Sequence, residues 1–333
     1  MYKSKYMIAG FAAAMLFSSS MSFAGGQKTG INGAAFLKIG VGARQIGLGS
    51  AVTTLQNGGP NMMFWNPAGT SNLEGTALSL NHSSWLLSMD HNAFAFTHNV
   101  EGLGVIGIGL IHVGLGDIVA NRDVAPTEAL KPRQADLATG DVFSFYDMAA
   151  NISLARQFSD KLSLGASVKF IKEKIDDQSA TAIAGDFGVT YNTGWHQLVF
   201  GAALQNLGGD LTYYQSGTPL PLVFSIGASI NIAEQEDNRV VALVDATKRQ
   251  DSEQLYFGGM EVTLMDHYQL RGGYKFGLSG ANDDFGQPST DEGLSMGGGF
   301  VMETGSTKAH IDYSWTQFDI LDSTHRFSLY FTF

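Results

Sequence analysis

The last nine residues, His325-Arg-Phe-Ser-Leu-Tyr-Phe-Thr-Phe333, alternate strictly: Phe327, Leu329, Phe331 and Phe333 fall on one face, Arg326, Ser328, Tyr330 and Thr332 on the other. Period-two alternation puts apolar side chains on one side of a sheet and mostly polar ones on the other. At the edge of a soluble sandwich such a strand would present a flat aromatic surface prone to aggregation. An aromatic last residue in this register is instead how transmembrane β-barrels end, and a closed antiparallel barrel is the expectation for the chain.

The other end is compatible with export. Lys3 and Lys5 form a basic region, Met7 to Phe17 an apolar one, and Ser22-Phe23-Ala24 a small-x-small cleavage site, so residues 1–24 read as a removed signal peptide. Its removal takes two lysines and shifts the formal net charge from -11 to -13. That acidity argues against a nucleic-acid partner. The chain has no Cys, which excludes disulfides and thiolate metal sites. Mean hydropathy is only +0.02, and beyond the signal no apolar run approaches the roughly 20 residues of a spanning helix. In a membrane, a chain without such helices must close into a barrel to satisfy its backbone.

Alternating segments suggest about fourteen strands, near 76–84, 90–99, 103–114, 142–156, 161–173, 180–191, 197–207, 220–231, 239–248, 254–264, 267–277, 293–303, 307–316 and 325–333. Connections after even-numbered strands are short, as in Phe158-Ser-Asp-Lys161, Asn192-Thr-Gly194 and Glu303-Thr-Gly-Ser306. The intervening ones read as longer: Gly114 to Asp141, Glu173 to Ser179, Gly208 to Pro219, Gly277 to Glu292 and Phe318 to Thr324. Short periplasmic turns alternating with longer external loops put both termini in the periplasm of a Gram-negative outer membrane, with outer-membrane lipid around residues 74–333.

The same period assigns faces. Leu162, Leu164, Ala166, Val168 and Phe170 point to lipid, as do Tyr268, Leu270, Tyr274 and Phe276. The lumen then receives small residues and charges: Lys169, Arg271, Lys275 and Asp312, with Asp186, Asp245 and Glu261 expected to meet the bases. Residues 25–73 do not alternate and carry few charges, so they are expected to fold back into the barrel as a plug of short helices and turns.

Catalytic and metal motifs find no support. Gly102-Leu-Gly-Val-Ile-Gly107 lies within an alternating strand and opens no helix, so it cannot present amides to a dinucleotide. Gly293-Leu-Ser-Met-Gly297 likewise runs on into strand where a nucleophile elbow needs a helix. His82, His91 and His98 lie near strand ends and read as interfacial or loop residues rather than zinc ligands. Asn282, Asp283, Asp284, Asp291 and Glu292 lack the spaced ligands of a calcium loop and read as a solvated acidic loop. No cofactor and no enzymatic activity are expected.

The leader carries two motifs, Gly42-Ala-Arg-Gln-Ile-Gly-Leu-Gly-Ser-Ala51 and Phe64-Trp-Asn-Pro-Ala-Gly69, and further matches are Leu162-Ser-Leu-Gly-Ala-Ser-Val-Lys169, Gln205-Asn-Leu-Gly208, Leu270-Arg-Gly-Gly-Tyr274 and Asp312-Tyr-Ser-Trp315. Together they resemble the FadL-type barrel superfamily, and within it the PorV/PorQ branch associated with type IX secretion. The resemblance implies a fourteen-strand barrel with an N-terminal hatch, carried here by Gly42, Arg44, Gly47, Gly49, Trp65, Asn66, Pro67, Ala68 and Gly69. For the PorV/PorQ branch it implies binding the C-terminal domains of secreted cargo or anchoring a surface partner of the secretion machine. For the transporter branch it implies passage of long-chain fatty acids or other hydrophobic compounds, with Phe36, Leu37, Phe64 and Trp65 as candidate pocket residues. A charged lumen favours the first, a plugged scaffold.

Overall fold

The computed structural model describes residues 30–56, 58–121, 138–213, 215–277, 292–318 and 321–333. The signal segment, residues 25–29 and Asn282, Asp283, Asp284 and Asp291 of the acidic loop lie outside them.

The strands are β1 (Thr76–Ser84), β2 (Asp90–Val100), β3 (Gly104–Asn121), β4 (Ala138–Gln157), β5 (Leu162–Ile175), β6 (Gln178–Asn192), β7 (Val199–Gly208), β8 (Leu211–Tyr213), β9 (Ser216–Thr218), β10 (Val223–Gln235), β11 (Asn238–Arg249), β12 (Gln254–Leu264), β13 (Tyr268–Gly277), β14 (Glu292–Thr304), β15 (Thr307–Phe318) and β16 (Thr324–Thr332). All but β8 and β9 form one closed antiparallel barrel of fourteen strands, sealed where β1 pairs with β16 through partners such as Leu80 and Leu329. Closure leaves no unpaired edge, which is what a β-structure in hydrocarbon requires.

Alternation in sequence becomes alternation of burial. On β5, Ser163, Ser167, Lys169 and Ile171 are buried while Leu164, Val168 and Phe170 are exposed. Around the wall, Ile108, Ile152, Val168, Ile183, Phe224, Val244, Leu270 and Phe327 all expose their side chains outward. An apolar band of this extent belongs in lipid, not water. Aromatic residues collect toward both rims of the band. Tyr191, Trp195, Tyr268 and Phe300 lie toward the end that carries the C-terminus; Tyr256, Tyr274, Phe276 and Tyr313 lie toward the other.

The connection between β5 and β6 departs from expectation. Instead of a longer loop it is a two-residue hairpin, Asp176-Asp177, because Ile175 pairs directly with Gln178 and Asp176 adopts a left-handed φ of 54°. Asp tolerates that conformation, so the strands extend further than the apolar pattern marks them. Strands β3 and β4 likewise run on to Asn121 and back from Ala138. Within the 208–219 connection, β8 and β9 form a separate hairpin that folds against β6 and buries Leu211 completely.

The described leader threads the lumen. Gly33 donates its amide to the Pro219 carbonyl at 3.0 Å, and Lys38 pairs with Asp251 at 2.6 Å, both at the end with the longer loops. Phe333 lies at the opposite end, its backbone paired with Thr76, so the first described residues and the C-terminus do not share one end of the barrel as expected, because the leader runs the length of the lumen before β1. Between these ends the chain forms helix α1 (Ala43–Gly47) and short 3-10 turns at Ala35–Lys38, Pro60–Phe64 and Pro67–Thr70.

Candidate functional site: the plugged lumen

The leader is held across the lumen by backbone contact and by polar clamps. Gly42 begins α1 at a φ of +95°, where a Cβ would sit 2.1 Å from the Gln45 carboxamide oxygen. Seven residues on, Gly49 has a φ of +64° and brings its backbone against β13, and a Cβ there would lie 2.7 Å from the Tyr274 amide nitrogen. The wall gives way at matching positions. A Cβ on Gly273 would lie 2.2 Å from the Gly49 nitrogen, and one on Gly165 would lie 2.4 Å from the Ala68 nitrogen. Wall and plug thus meet backbone to backbone, which only glycine permits.

The strongest clamp is ionic. Arg44 of α1 donates Nε to Glu261 Oε2 at 2.9 Å and Nη2 to Oε1 at 2.7 Å. Glu261 also accepts Nε of Arg271 at 2.7 Å, and Arg271 passes Nη1 to Asp312 at 2.5 Å and Nη2 to Gln269. Charges therefore alternate from plug into wall across β12, β13 and β15. Burial acts to lower the Arg44 pKa, but the Glu261 carboxylate outweighs it and holds the guanidinium above its ordinary value. Lys169 pairs with Asp186 at 2.9 Å, and Lys275 with Glu292. Among the described residues Asp245 meets no base: its Oδ2 accepts the Thr53 amide of the plug at 2.8 Å. A plug amide with no helical partner competes successfully for that carboxylate, which alternation along one strand could not reveal.

Neutral clamps complete the seat. Asn61 and Asn81 exchange both carboxamide bonds at 2.9 Å, and the Ala43 amide donates to Ser328 Oγ at 2.8 Å. Trp65 donates its indole N–H to the Val41 carbonyl at 2.8 Å. Asn66 is fully buried: Oδ1 accepts the Ala68 amide at 3.1 Å, capping the turn that Pro67 starts, and Nδ2 donates to the Thr53 carbonyl at 2.7 Å. Ala68 and Gly69 are buried behind it, and Gly47 packs its backbone against Gly297 of β14. Asn66→Ala removes the cap and orphans the Thr53 carbonyl, an expected loss of about 1–3 kcal/mol in plug docking. The expected result is increased leakage of small solutes in proteoliposomes with unchanged heat-modifiable gel mobility; unchanged permeability would show that this turn does not form the seal.

The lumen is chemically two-sided, whereas the expectation is of small residues and charges with no separate apolar side. Ala93 and Ala95 of β2, Ile111 and Val113 of β3, Ala149 of β4, Ile171 of β5 and Ala180, Ala182 and Ala184 of β6 form an apolar wall with the plug's Phe36, Met63 and Phe64. The ionic residues lie chiefly on β11 to β16. His91 also departs from expectation: it faces inward and is 3% exposed, whereas His82 and His98 are exposed. The hairpin residue Leu211, unmarked by any pattern, joins the apolar cluster beside Ala34 and Phe36.

A cavity of about 60 Å³ lies where the two sides meet, its apolar half formed by residues such as Leu37, Phe64, Trp65 and Ile111 and its polar half by residues such as Lys169, Arg249 and Lys275. Phe36 is packed into the neighbouring cluster and does not line it. On the C-terminal side of the plug the space is polar, opening into a vestibule of about 820 Å³ around Glu74, Arg239, Asp266, Lys308 and Tyr330.

No family model matches the chain, and no curated protein matches it in sequence. Solved structures share its fold. The TodX monoaromatic hydrocarbon channel, as a deltaS2S3 mutant, aligns with a TM-score of 0.60 at 13% identity, covering 88% of this chain and 98% of its own. The CymD monoaromatic hydrocarbon channel gives 0.59 at 12%, with 88% and 97% covered. A FadL homologue of Pseudomonas aeruginosa gives 0.54 at 10%, with 88% and 98% covered. At these identities the likeness establishes the FadL-type barrel fold.

Proposed function

We propose that this barrel is a non-enzymatic outer-membrane channel for small hydrophobic molecules, gated by its N-terminal plug. The observation that carries the reading is the apolar wall of β2 to β6, which meets a cavity whose apolar half is formed by Leu37, Ile39, Phe64, Trp65 and Ile111 inside a membrane barrel. A general pore needs a wet, polar lumen. Small hydrophobic ligands are held instead where apolar side chains meet a set of placed polar groups, and here the apolar plug face stands opposite Lys169, Arg249 and Lys275. The fold shared with monoaromatic hydrocarbon channels supports the same reading. At about 60 Å³ the cavity is smaller than the roughly 150 Å³ that admits benzene in a dry protein interior, so the described state is closed and a ring enters only when plug side chains move aside.

Toluene titrated into the purified barrel in detergent is expected to bind saturably, and Phe64→Ala, which enlarges the cavity, to bind it more tightly. Absence of saturable binding by both proteins would overturn the reading. The scaffold role in type IX secretion rests on the resemblance of the leader motifs to the PorV/PorQ branch. Co-purification of secretion components or cargo C-terminal domains with a barrel that does not bind toluene would favour that role instead.

A further inference from the structure

Among the described residues, the plug's clamps leave Arg326, a buried cation of the wall, out of account. Arg326 of β16 points into the lumen near the loop end and is 2% exposed. Its Nη1 donates to Thr324 Oγ1 at 3.1 Å and to Thr316 Oγ1 at 3.3 Å, and its guanidinium lies over the Trp85 ring, 4.8 Å from the centroid. Trp85 in turn meets Phe318 edge-on at 5.5 Å. These contacts fix the plane of the group and engage one of its nitrogens. Nε and Nη2, which share one edge of the guanidinium, have no hydrogen-bond partner among the described residues. The carboxylate acting on Arg326 through space, Glu292, is itself hydrogen-bonded to Lys275.

The strand register puts two more unpartnered groups in the same inward-facing row as Arg326. Ser314 of β15 is directly opposite Arg326, Ser83 of β1 is opposite it on the other side, and Ser83 is opposite His91 of β2. Ser314, Arg326, Ser83 and His91 therefore form one inward-facing row, with neighbours about 5 Å apart. Ser314 Oγ and His91 Nε2, both buried, also lack partners among the described residues, whereas Ser83 Oγ donates to the His325 carbonyl.

We propose that this row is an oxyanion site, in which the Nε/Nη2 fork of Arg326 takes two oxygens of a carboxylate or phosphate group, flanked by the Ser314 hydroxyl and by His91 in its Nε2–H tautomer. A guanidinium keeps its proton under all ordinary conditions, so burial leaves it in need of a counter-charge rather than neutral. A planar fork held at a fixed angle is preorganised for bidentate oxygens. The site lies outside the plug clamps and does not depend on hydrocarbon passage.

Calorimetric titration of the purified barrel with sodium phosphate, sulfate and benzoate, at constant ionic strength set with chloride, tests this. One saturable site is expected for at least one oxyanion and none for chloride. Binding of benzoate alone identifies an organic carboxylate as the ligand class; binding of phosphate or sulfate alone identifies a tetrahedral oxyanion. Arg326→Lys, which keeps the charge and removes the fork, should weaken binding on the order of tenfold, and Ser314→Ala about threefold. Should Arg326→Lys fail to assemble a heat-modifiable barrel, Ser314→Ala and His91→Phe decide the matter. Absence of saturable binding to the wild type, or equal binding by wild type and the assembled variants, would overturn the site. Toluene binding is a separate titration, so either result stands without the other.

Discussion

The double variant Gly165→Val/Gly273→Val is expected to convert the closed barrel into an open one. Strands β5 and β13 are separated by six steps in the strand order of a fourteen-strand barrel, so the two glycines support the plug from nearly opposite walls. At Gly273 an added Cβ falls 2.2 Å from the Gly49 nitrogen and 2.3 Å from the Leu48 carbonyl carbon; at Gly165 it falls 2.4 Å from the Ala68 nitrogen and the Pro67 carbonyl carbon. These obstacles are backbone, which cannot rotate away as a flexible side chain does. Overpacking of this kind costs about 1–3 kcal/mol per site and at times more. Valine is meanwhile a good strand residue, so the wall itself should assemble. Liposome swelling with small sugars should rise from near background toward the rate of an open pore, with heat-modifiable mobility retained. Gly272→Val is the internal control, because a Cβ at that position meets nothing within 4 Å. Swelling of the double variant at the wild-type rate would mean that the plug does not depend on these seats.

Glu261→Ala is expected to be the most damaging single truncation in the lumen. Glu261 is 3% exposed and accepts from both Arg44 and Arg271, so its loss leaves a plug arginine without this clamp and a wall arginine relying on Asp312 and Gln269. Breaking a buried ion pair from one side costs about 3–5 kcal/mol, mostly through the charge left behind. Arg44→Leu should cost less, because Glu261 then still holds Arg271 and the freed volume is refilled by an apolar side chain. Both variants should leak, but Glu261→Ala should also lower the temperature at which the folded band disappears on a gel. The double variant Glu261→Ala/Arg44→Leu should recover part of that loss, since one of the two guanidinium groups is gone. A double variant less stable than Glu261→Ala would show that Arg44 contributes by packing and not through this charge network.

Local pattern determined the wall. Alternation along 161–171, 267–277 and 307–316 is a property of a few consecutive residues, and burying one face in lipid fixes the register of each strand. Hence the fourteen strands and the inward direction of Lys169, Arg271, Lys275 and Asp312 were all legible in the chain. What was not legible joins distant residues. Arg44 and Glu261 are 217 positions apart, and Thr53 and Asp245 are 192 apart. No period relates them, and a carboxylate's identity does not say whether a guanidinium or a plug amide will reach it. The apolar half of the lumen escaped for a related reason: alanines at 93, 95, 149, 180, 182 and 184 carry little signal one by one, and become a hydrophobic surface only when five strands stand side by side. The unpartnered edge of Arg326 likewise exists only because β15, β16, β1 and β2 are neighbours, a pairing that requires the two ends of the barrel sequence to meet. Sequence by itself determined which side chains face lipid and which face in, because that depends on period; tertiary structure alone decided which inward groups meet, because that depends on closure of the barrel and the path of the plug through it.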